Sequence, residues 1–481
     1  MFSIRGRWTK LPIQTKASFA YMFGNVVSKS VALLSLPIFT RLMSTNDIGV
    51  GTTYQSWYAV LYSIVTLSLC SGSINVAMMD YSEERDRYQS TCLALASLST
   101  IIFSGLYIIF YKTINKYTTL DTSVMVVMIL CLFFCPALDF WYARQRYEYK
   151  YKTSVFVSCF VTIISTLVAI IFVIVFKNIK GFDLGNVKVI SQGLVSVMIS
   201  SVFYYILIKN GKTIFDFSIW KYALGLSLPL IIHSLSKNLL DISDRIMISY
   251  MCGKADAGIY GTIYSLASVI LIVWTAVNTA LIPSVFEELK TEKYEGISKI
   301  YVPLLFAFGG VAVMVSLLSP DVIMLMTTKD YVEASNIVPA IISGVYFTAL
   351  YTMYGNFILY KKKTVYLMFA TLGAALVNIL LNYCFIGMFG YKAAAYTTLV
   401  SFVLLAIFQG IMVKIIFKKN IVNDFLLFAI SCCVCVICIL SVFLYKYNII
   451  RYILVIFILF ITVFNKDRLL FLLRKGNKEN D

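Results

Sequence analysis

Apolar residues in this chain run in blocks of about 20, separated by short polar connections. Blocks of that length match the roughly 30 Å of hydrocarbon that a helix must cross. The pattern predicts helices at about 17–40, 53–74, 89–111, 120–143, 154–176, 188–208 and 222–250. It predicts seven more at about 259–285, 300–319, 336–360, 364–388, 391–416, 422–444 and 447–465. The expected fold is therefore an all-α polytopic membrane protein with about 14 transmembrane helices.

Composition agrees with a bilayer as solvent. Of 481 residues, 60% are hydrophobic and only 14% are charged, where soluble domains carry about a quarter charged. Mean hydropathy is +0.83. No connection exceeds about 20 residues, too short for a folded extramembrane domain, so an enzyme domain hung outside the membrane is excluded. The basic N-terminal stretch with Arg5, Arg7 and Lys10 imitates a signal peptide, but the apolar run after it is too long and lacks a small-residue cleavage site. It reads as a retained first helix.

Alternate connections carry the basic residues. Arg85 and Arg87, Arg144 and Arg146, Lys361 to Lys363, and the tail from Lys466 to Lys478 belong to one side. That side holds roughly 27 Lys and Arg against about 10 on the other. Both termini are expected to be cytoplasmic. The formal charge of +17 follows from this bias and from attraction to anionic lipid, and gives no argument for nucleic acid. Eleven Cys lie mostly inside apolar runs, as Cys131, Cys135 and Cys159 do, and read as small buried hydrophobes. Cys432, Cys433, Cys435 and Cys438 include C-x-x-C spacings, but no His or charge nearby completes a metal shell.

A weak internal repeat divides the chain. Asn25-x-x-Ser28-Lys29 aligns with His233-x-x-Ser236-Lys237, and Asp47-Ile-Gly49 aligns with Asp256-Ala-Gly258. The expected domains are a six-helix bundle over 1–215, a second over 216–419 related by a pseudo-twofold axis, and two appended helices with a basic tail over 420–481.

A charge at bilayer depth costs several kcal/mol, so each intramembrane ionisable residue is a functional candidate. Asn25, Ser28 and Lys29 share one face of the first helix. His233, Ser236, Lys237 and Asp244 fall within an arc of about 100° on the seventh, with Asp241 at its edge. Two readings stand. Lys29 and Lys237 either pair with acids such as Asp241 or Asp139 and lock helices together, or they line a water-filled cavity and attract an anionic group such as phosphate. His233 is the only histidine, and is either a structural hydrogen-bonder or a proton carrier. Arg41 and the pair Asp244-Arg245 are interfacial anchors or line the cavity mouth. Asp139 with Arg144 and Arg146 closes the fourth helix. Pro37, Pro229 and Pro339 are expected to kink helices. With one histidine and no G-x-x-x-x-G-K-[ST] loop, the hydrolytic and nucleotide-binding signatures are absent.

Several segments resemble bacterial polysaccharide flippases of the multidrug/oligosaccharidyl-lipid/polysaccharide (MOP) exporter superfamily. They are Leu36-Pro37-Ile-Phe-Thr40-Arg41-Leu42 with Asp47-Ile-Gly49, then Leu228-Pro229-Leu230 through Asp244-Arg245 to Gly258-Ile259-Tyr260, and Asn378-Ile-Leu-Leu-Asn382 followed by Gly390-Tyr-Lys-Ala-Ala-Ala-Tyr-Thr397. The resemblance implies a MATE-like fold and a non-enzymatic flippase in the bacterial inner membrane. It implies a cargo of undecaprenyl-pyrophosphate-linked oligosaccharide for O-antigen, lipopolysaccharide, capsule or exopolysaccharide, moved by alternating access. Lys29, Lys237, Asn25, Ser28, Ser236, Arg245 and Arg41 would then bind substrate. Asp244, Asp241, His233 and Asp139 would couple a proton or sodium gradient. No catalytic residue, metal or organic cofactor is expected. The expected partners are membrane lipid, a polysaccharide polymerase and a chain-length regulator, around a monomer. The alternatives are a cation-coupled multidrug exporter, which favours buried acids over lysines, and a membrane-embedded polymerase or glycosyltransferase, which needs a large outer loop.

Overall fold

Hydrocarbon offers the backbone no hydrogen-bond partner, so a chain this apolar has to satisfy its peptide groups within each segment. The computed structural model describes residues 13–70, 73–292 and 294–464, and these form helices and no strand. Arg5, Arg7, Lys10 and the tail from Lys466 to Lys478 lie outside the described residues, as does the side chain of His233.

The first helices are α1 (Ile13–Leu42), α2 (Thr45–Val65), α3 (Ser73–Asp80), α4 (Arg85–Thr118), α5 (Thr122–Tyr147), α6 (Tyr151–Phe176) and α7 (Leu184–Gly211). Then come α8 (Phe217–Met251), α9 (Lys254–Ala267), α10 (Ile270–Lys290), α11 (Tyr294–Met326) and α12 (Val338–Tyr360). The last are α13 (Thr364–Phe389), α14 (Lys392–Phe417), α15 (Asp424–Leu440) and α16 (Asn448–Phe464). Among the described residues ten helices are long and apolar enough to cross a bilayer, or twelve if each of two bent pairs is one span. The remaining two of the 14 expected windows are not among these spans. The window at 53–74 falls on α2, whose first turns carry Asn46, Asp47, Thr52, Thr53, Gln55 and Ser56. The window at 447–465 falls on α16, where the described apolar stretch Asn448–Ile461 is shorter than a span.

The prolines act unequally. One bent pair is α8, which turns by 41° between Phe217–Leu228 and Leu230–Met251, on either side of Pro229. Pro37 lies inside α1 without ending it. Pro339 makes no kink, contrary to expectation: it stands in the first turn of α12, where its missing N–H has no intrahelical partner to lose.

Packing divides the chain into two compact units. The first runs to Leu239 and includes Gly253–Gly258; the second comprises Leu240–Cys252 and the chain from Ile259. In the first unit α5 is innermost, with 56% of its apolar window buried against 17% for α1 and for α6. Met125, Met128 and Leu132 of α5 pack on Val50 and Val189, and Phe140 and Ala143 pack with Tyr88, Leu93 and Leu207. In the second unit the segment Lys329–Tyr360 is innermost, at 83%. Tyr346, Phe347, Tyr354 and Phe357 of α12 are fully buried.

The start of α2 explains one sequence motif. Ser44 and Asp47 form a capping box: the Asp47 amide donates to Ser44 Oγ at 3.2 Å, and the Ser44 amide donates to Asp47 Oδ2 at 2.9 Å. Asp47 also accepts from the Gly185 amide at 3.2 Å, tying α7 to α2. Two residues on, Gly49 meets α9 with no room for a side chain. A Cβ on Gly49 would stand 1.8 Å from the Lys254 carbonyl oxygen, and a Cβ on Gly258 would stand 2.3 Å from that of Thr45. Each glycine thus faces the carbonyl four residues before the other. The two repeat motifs cross backbone to backbone in a local twofold, and glycine is required at both.

At the end of the first unit where α4 begins, ion pairs knit three helices. Arg144 pairs with Asp86 and, through Nε at 2.7 Å, with Glu148; Lys150 reaches Glu148 at 2.6 Å. Arg87 reaches Asp216 at 2.6 Å, and Asp216 also accepts from the Ser218 hydroxyl and amide ahead of α8. Burial alone would raise the Glu148 carboxyl, but hydrogen bonds from Arg144 and Lys150 hold it below its ordinary 4.5.

Two outcomes follow. Gly49→Val or Gly258→Val forces helix separation, at about 1–3 kcal/mol each by the usual cost of overpacking, whereas Gly105→Ala, with nothing within 4 Å, is neutral. Thermal unfolding of the purified protein in detergent measures this, and equal melting temperatures for all three would refute the crossing. Because the Glu148 pKa is depressed, its pairing contributes fully above about 4.5 and is lost as pH falls through the depressed value. Glu148→Gln should therefore flatten the drop in melting temperature between about pH 6 and 3. An acid limb as steep as that of the unmodified protein would contradict it.

Candidate functional site

Lys29 sits near the middle of α1 and is exposed, as is Asn25; Ser28 is half-buried and accepts from Thr162 Oγ1 at 3.4 Å. Gly24 rests on Val155, so the Gly24–Ser28 face packs on α6, and Lys29 projects about 100° away from Ser28. On α8, Lys237 is exposed while Ser236 is buried and donates back to the Ile232 carbonyl at 2.6 Å. Its neighbours fix the helix to α2: Asn238 Nδ2 donates to Ser63 Oγ at 2.9 Å, and the Ser68 and Ser234 hydroxyls stand 3.1 Å apart. Both lysines belong to the first unit. Among the described residues neither forms an ion pair. Asp139 instead accepts from the Tyr62 hydroxyl. Arg41, exposed at the end of α1, donates to the Pro37 carbonyl at 3.2 Å.

Asp139 is bound differently from expectation. It accepts a hydrogen bond from the Tyr62 hydroxyl, while Arg144 turns to Asp86 and Glu148. Asp139 and Arg144 lie five residues apart on α5, on different faces, so adjacency in sequence did not make them partners. Tyr62 ends a ladder on α2: Tyr54 stacks on Tyr58 with centroids 5.9 Å apart, and Tyr58 meets Tyr62 at 5.5 Å. The spacing of four residues puts all three rings on one face. At the far end of this ladder a cavity of about 150 Å³ is lined by Tyr54, Tyr58, Gln55, Gln192 and Lys188. The sequence reading passed over Lys188, placing it at the end of a span; the Tyr54-x-x-x-Tyr58-x-x-x-Tyr62 spacing was the signal available.

In the second unit Asp244 is 2% exposed and accepts from the Tyr260 hydroxyl. The Arg245 guanidinium lies 4.5 Å from the Tyr264 ring centroid, an electrostatic contact that a desolvated cation gains from the ring face. Asp241 stands near Tyr264 and Tyr351. The Asn378 and Asn382 of the sequence motif turn out to be fully buried. Ser243 of α8 donates to Asn378 Oδ1 at 2.9 Å, Asn382 Nδ2 donates to the same oxygen at 3.0 Å, and Asn378 Nδ2 donates to Thr398 at 3.1 Å. Thr397 donates to Asn382. Three helices are thus joined by one polar network. A second joins α16 to α11: Arg451, 1% exposed, donates to the Leu317 carbonyl at 3.0 Å and to Asp321 at 3.1 Å. No group of three or more His, Cys, Asp or Glu suited to a metal occurs among the described residues.

Two all-helical units with polar side chains set into long apolar helices define a multi-pass membrane protein. A model of the polysaccharide biosynthesis protein family matches residues 15–290, more than half of the chain, and the MatE family model matches 229–384. The chain belongs to the polysaccharide biosynthesis protein family, a flippase family of the MOP superfamily. Lsg locus putative protein 1 of Haemophilus influenzae is 24% identical over 296 residues, which is 58% of this chain and 67% of that protein. Among solved structures, lipid II flippase MurJ in an inward closed conformation gives a TM-score of 0.68 at 16% identity, covering 94% of this chain and 99% of that one. An inward-facing MATE family multidrug resistance transporter gives 0.60 at 11%, covering 82% and 96%. At these identities the likeness is one of fold.

The Asn378 network generates a test. Asn378→Ala strips partners from Ser243, Asn382 and Thr398 at once, and each buried group left unsatisfied costs about 1–3 kcal/mol. A lowered melting temperature in detergent is expected, with Asn382→Ala less severe; an unchanged value for Asn378→Ala would sink the network's structural role.

Proposed function

We propose that this protein translocates undecaprenyl-pyrophosphate-linked oligosaccharide repeat units across the bacterial inner membrane by alternating access, for O-antigen, capsule or other surface polysaccharide. The observation that carries the reading is the pair Lys29 and Lys237: exposed at membrane depth on two helices and free of ion pairs among the described residues. An ammonium facing hydrocarbon costs several kcal/mol, so such lysines belong where water and an anion reach them. Pyrophosphate supplies that anion, and lysines bind it as point charges without chemistry. Asn25 and Ser28 add hydrogen-bonding capacity beside Lys29, while Arg41 and Arg245 extend the positive field. Asp139, Asp241, Asp244 and His233 are the groups through which a proton or sodium gradient would act. The polyprenyl tail stays in lipid, both termini face the cytoplasm, and a polysaccharide polymerase and chain-length regulator receive the product.

The MatE match over 229–384 gives drug export a second reading. A cationic drug favours acids over lysines at its site, and the exposed charges on α1 and α8 that carry the first reading are Lys29 and Lys237. That balance favours the anionic cargo.

Complementation of surface polysaccharide in a flippase-null strain decides. Lys29→Ala with Lys237→Ala should reduce polymer at least tenfold at normal membrane abundance, with the double Lys→Arg variant retaining most of it. Full polymer from the double alanine variant would end the proposal.

A further inference from the structure

The cavity beside the tyrosine ladder of α2 has a chemistry of its own. Its wall holds one cation, Lys188, and no acid. The Lys188 ammonium lies 4.2 Å from the centroid of the Phe39 ring, and no carboxylate pairs with it among the described residues. A ring face attracts an ammonium but supplies no charge to neutralise it. Gly51 lies beside it: a Cβ there would stand 3.7 Å from Lys188 Nζ, in van der Waals contact, so the ammonium sits close to the α2 backbone. Around it Gln55 and Gln192 bring amide donors, and Tyr54 and Tyr58 bring hydroxyls.

We infer that Lys188 and this wall form a site for a single carboxylate-type anion inside the first unit. Size selects the class. About 150 Å³ is the share of roughly five water molecules at ~30 Å³ each, and falls short of the ~300 Å³ at which pockets begin to enclose drug-sized ligands. A carboxylate with a small body fits, and a pyrophosphate carrying lipid and glycan does not. The carboxylate accepts from the ammonium in a charge-assisted bond, which is the strong kind in a low-dielectric wall. The amide and hydroxyl donors then cover its remaining lone pairs. Two sources share this chemistry: an acidic sugar, whose ring hydroxyls would meet Tyr54 and Gln192, or a free small carboxylate. The inference does not depend on the roles proposed for Lys29 and Lys237.

The test uses the purified full chain in detergent, its melting temperature followed while glucuronate, acetate or glucose is added. Glucuronate or acetate should raise the melting temperature of the unmodified protein and of Lys188→Arg, and leave Lys188→Gln unmoved; glucose should do nothing. Glucuronate acting at tenfold lower concentration than acetate identifies an acidic sugar as the source, and equal potency identifies a free carboxylate. Should Lys188→Gln not elute as a folded protein, Gly51→Val, which crowds the ammonium, should lose the response instead. The inference falls if no carboxylate shifts the unmodified protein, or if the responses of Lys188→Gln or of a folded Gly51→Val equal its own.

Discussion

A polar group withdrawn from water must find another partner, and that requirement organises this chain from its backbone outward. The peptide groups meet it by helix formation. Most side chains meet it in one of two ways, and the exceptions separate chemistry from architecture. Hydroxyls such as Thr166, Ser243 and Ser316 bond to a carbonyl of their own helix or to a neighbouring polar group. Amides and arginines bridge helices, as Asn378, Asn382 and Arg451 do. A few cations take neither route, and those carry the functional argument.

The bridging groups show why a protein held in lipid keeps polar residues at all. Between apolar helices the bilayer supplies no hydrophobic drive to associate, since lipid tails are as apolar as leucine. Packing and hydrogen bonds must therefore set which helix meets which. The Asn378 network specifies α13, α14 and α8 together, and Arg451 with Asp321 specifies where α16 lies on α11. The Gly49–Gly258 crossing does the same by shape: without side chains, the two backbones approach to a distance that any Cβ would forbid.

Much of the helical architecture was legible because bilayer thickness imposes a length on each apolar block. That rule serves less well for α2, which carries polar residues along much of its length, presents a tyrosine ladder and lines a cavity. Helix-wheel geometry correctly put Asn25, Ser28 and Lys29 on one arc, yet Ser28 packs against α6 while Lys29 does not, since an arc of about 100° is wide enough to straddle a packing edge. Partner choice was the least legible feature. Asp139 answers to Tyr62, 77 positions away, and Arg451, unremarkable in an apolar run, closes on Asp321, 130 positions away. Such pairings depend on which helices touch, and periodicity within one helix carries no information about that.

The repeat motifs bring these strands together. Asp47-Ile-Gly49 and Asp256-Ala-Gly258 look like loop signals, since Asp caps helices and Gly ends them. In the folded chain neither glycine ends a helix. Both lie within the opening turns, four residues after Thr45 and Lys254, and each has the carbonyl four residues before the other against its bare backbone. Two matching motifs that meet in this way must carry the same residue at both positions, because a side chain added to either one collides with the other's helix. The Asp-x-Gly match in the sequence thus coincides with the point where steric exclusion acts on both glycines at once.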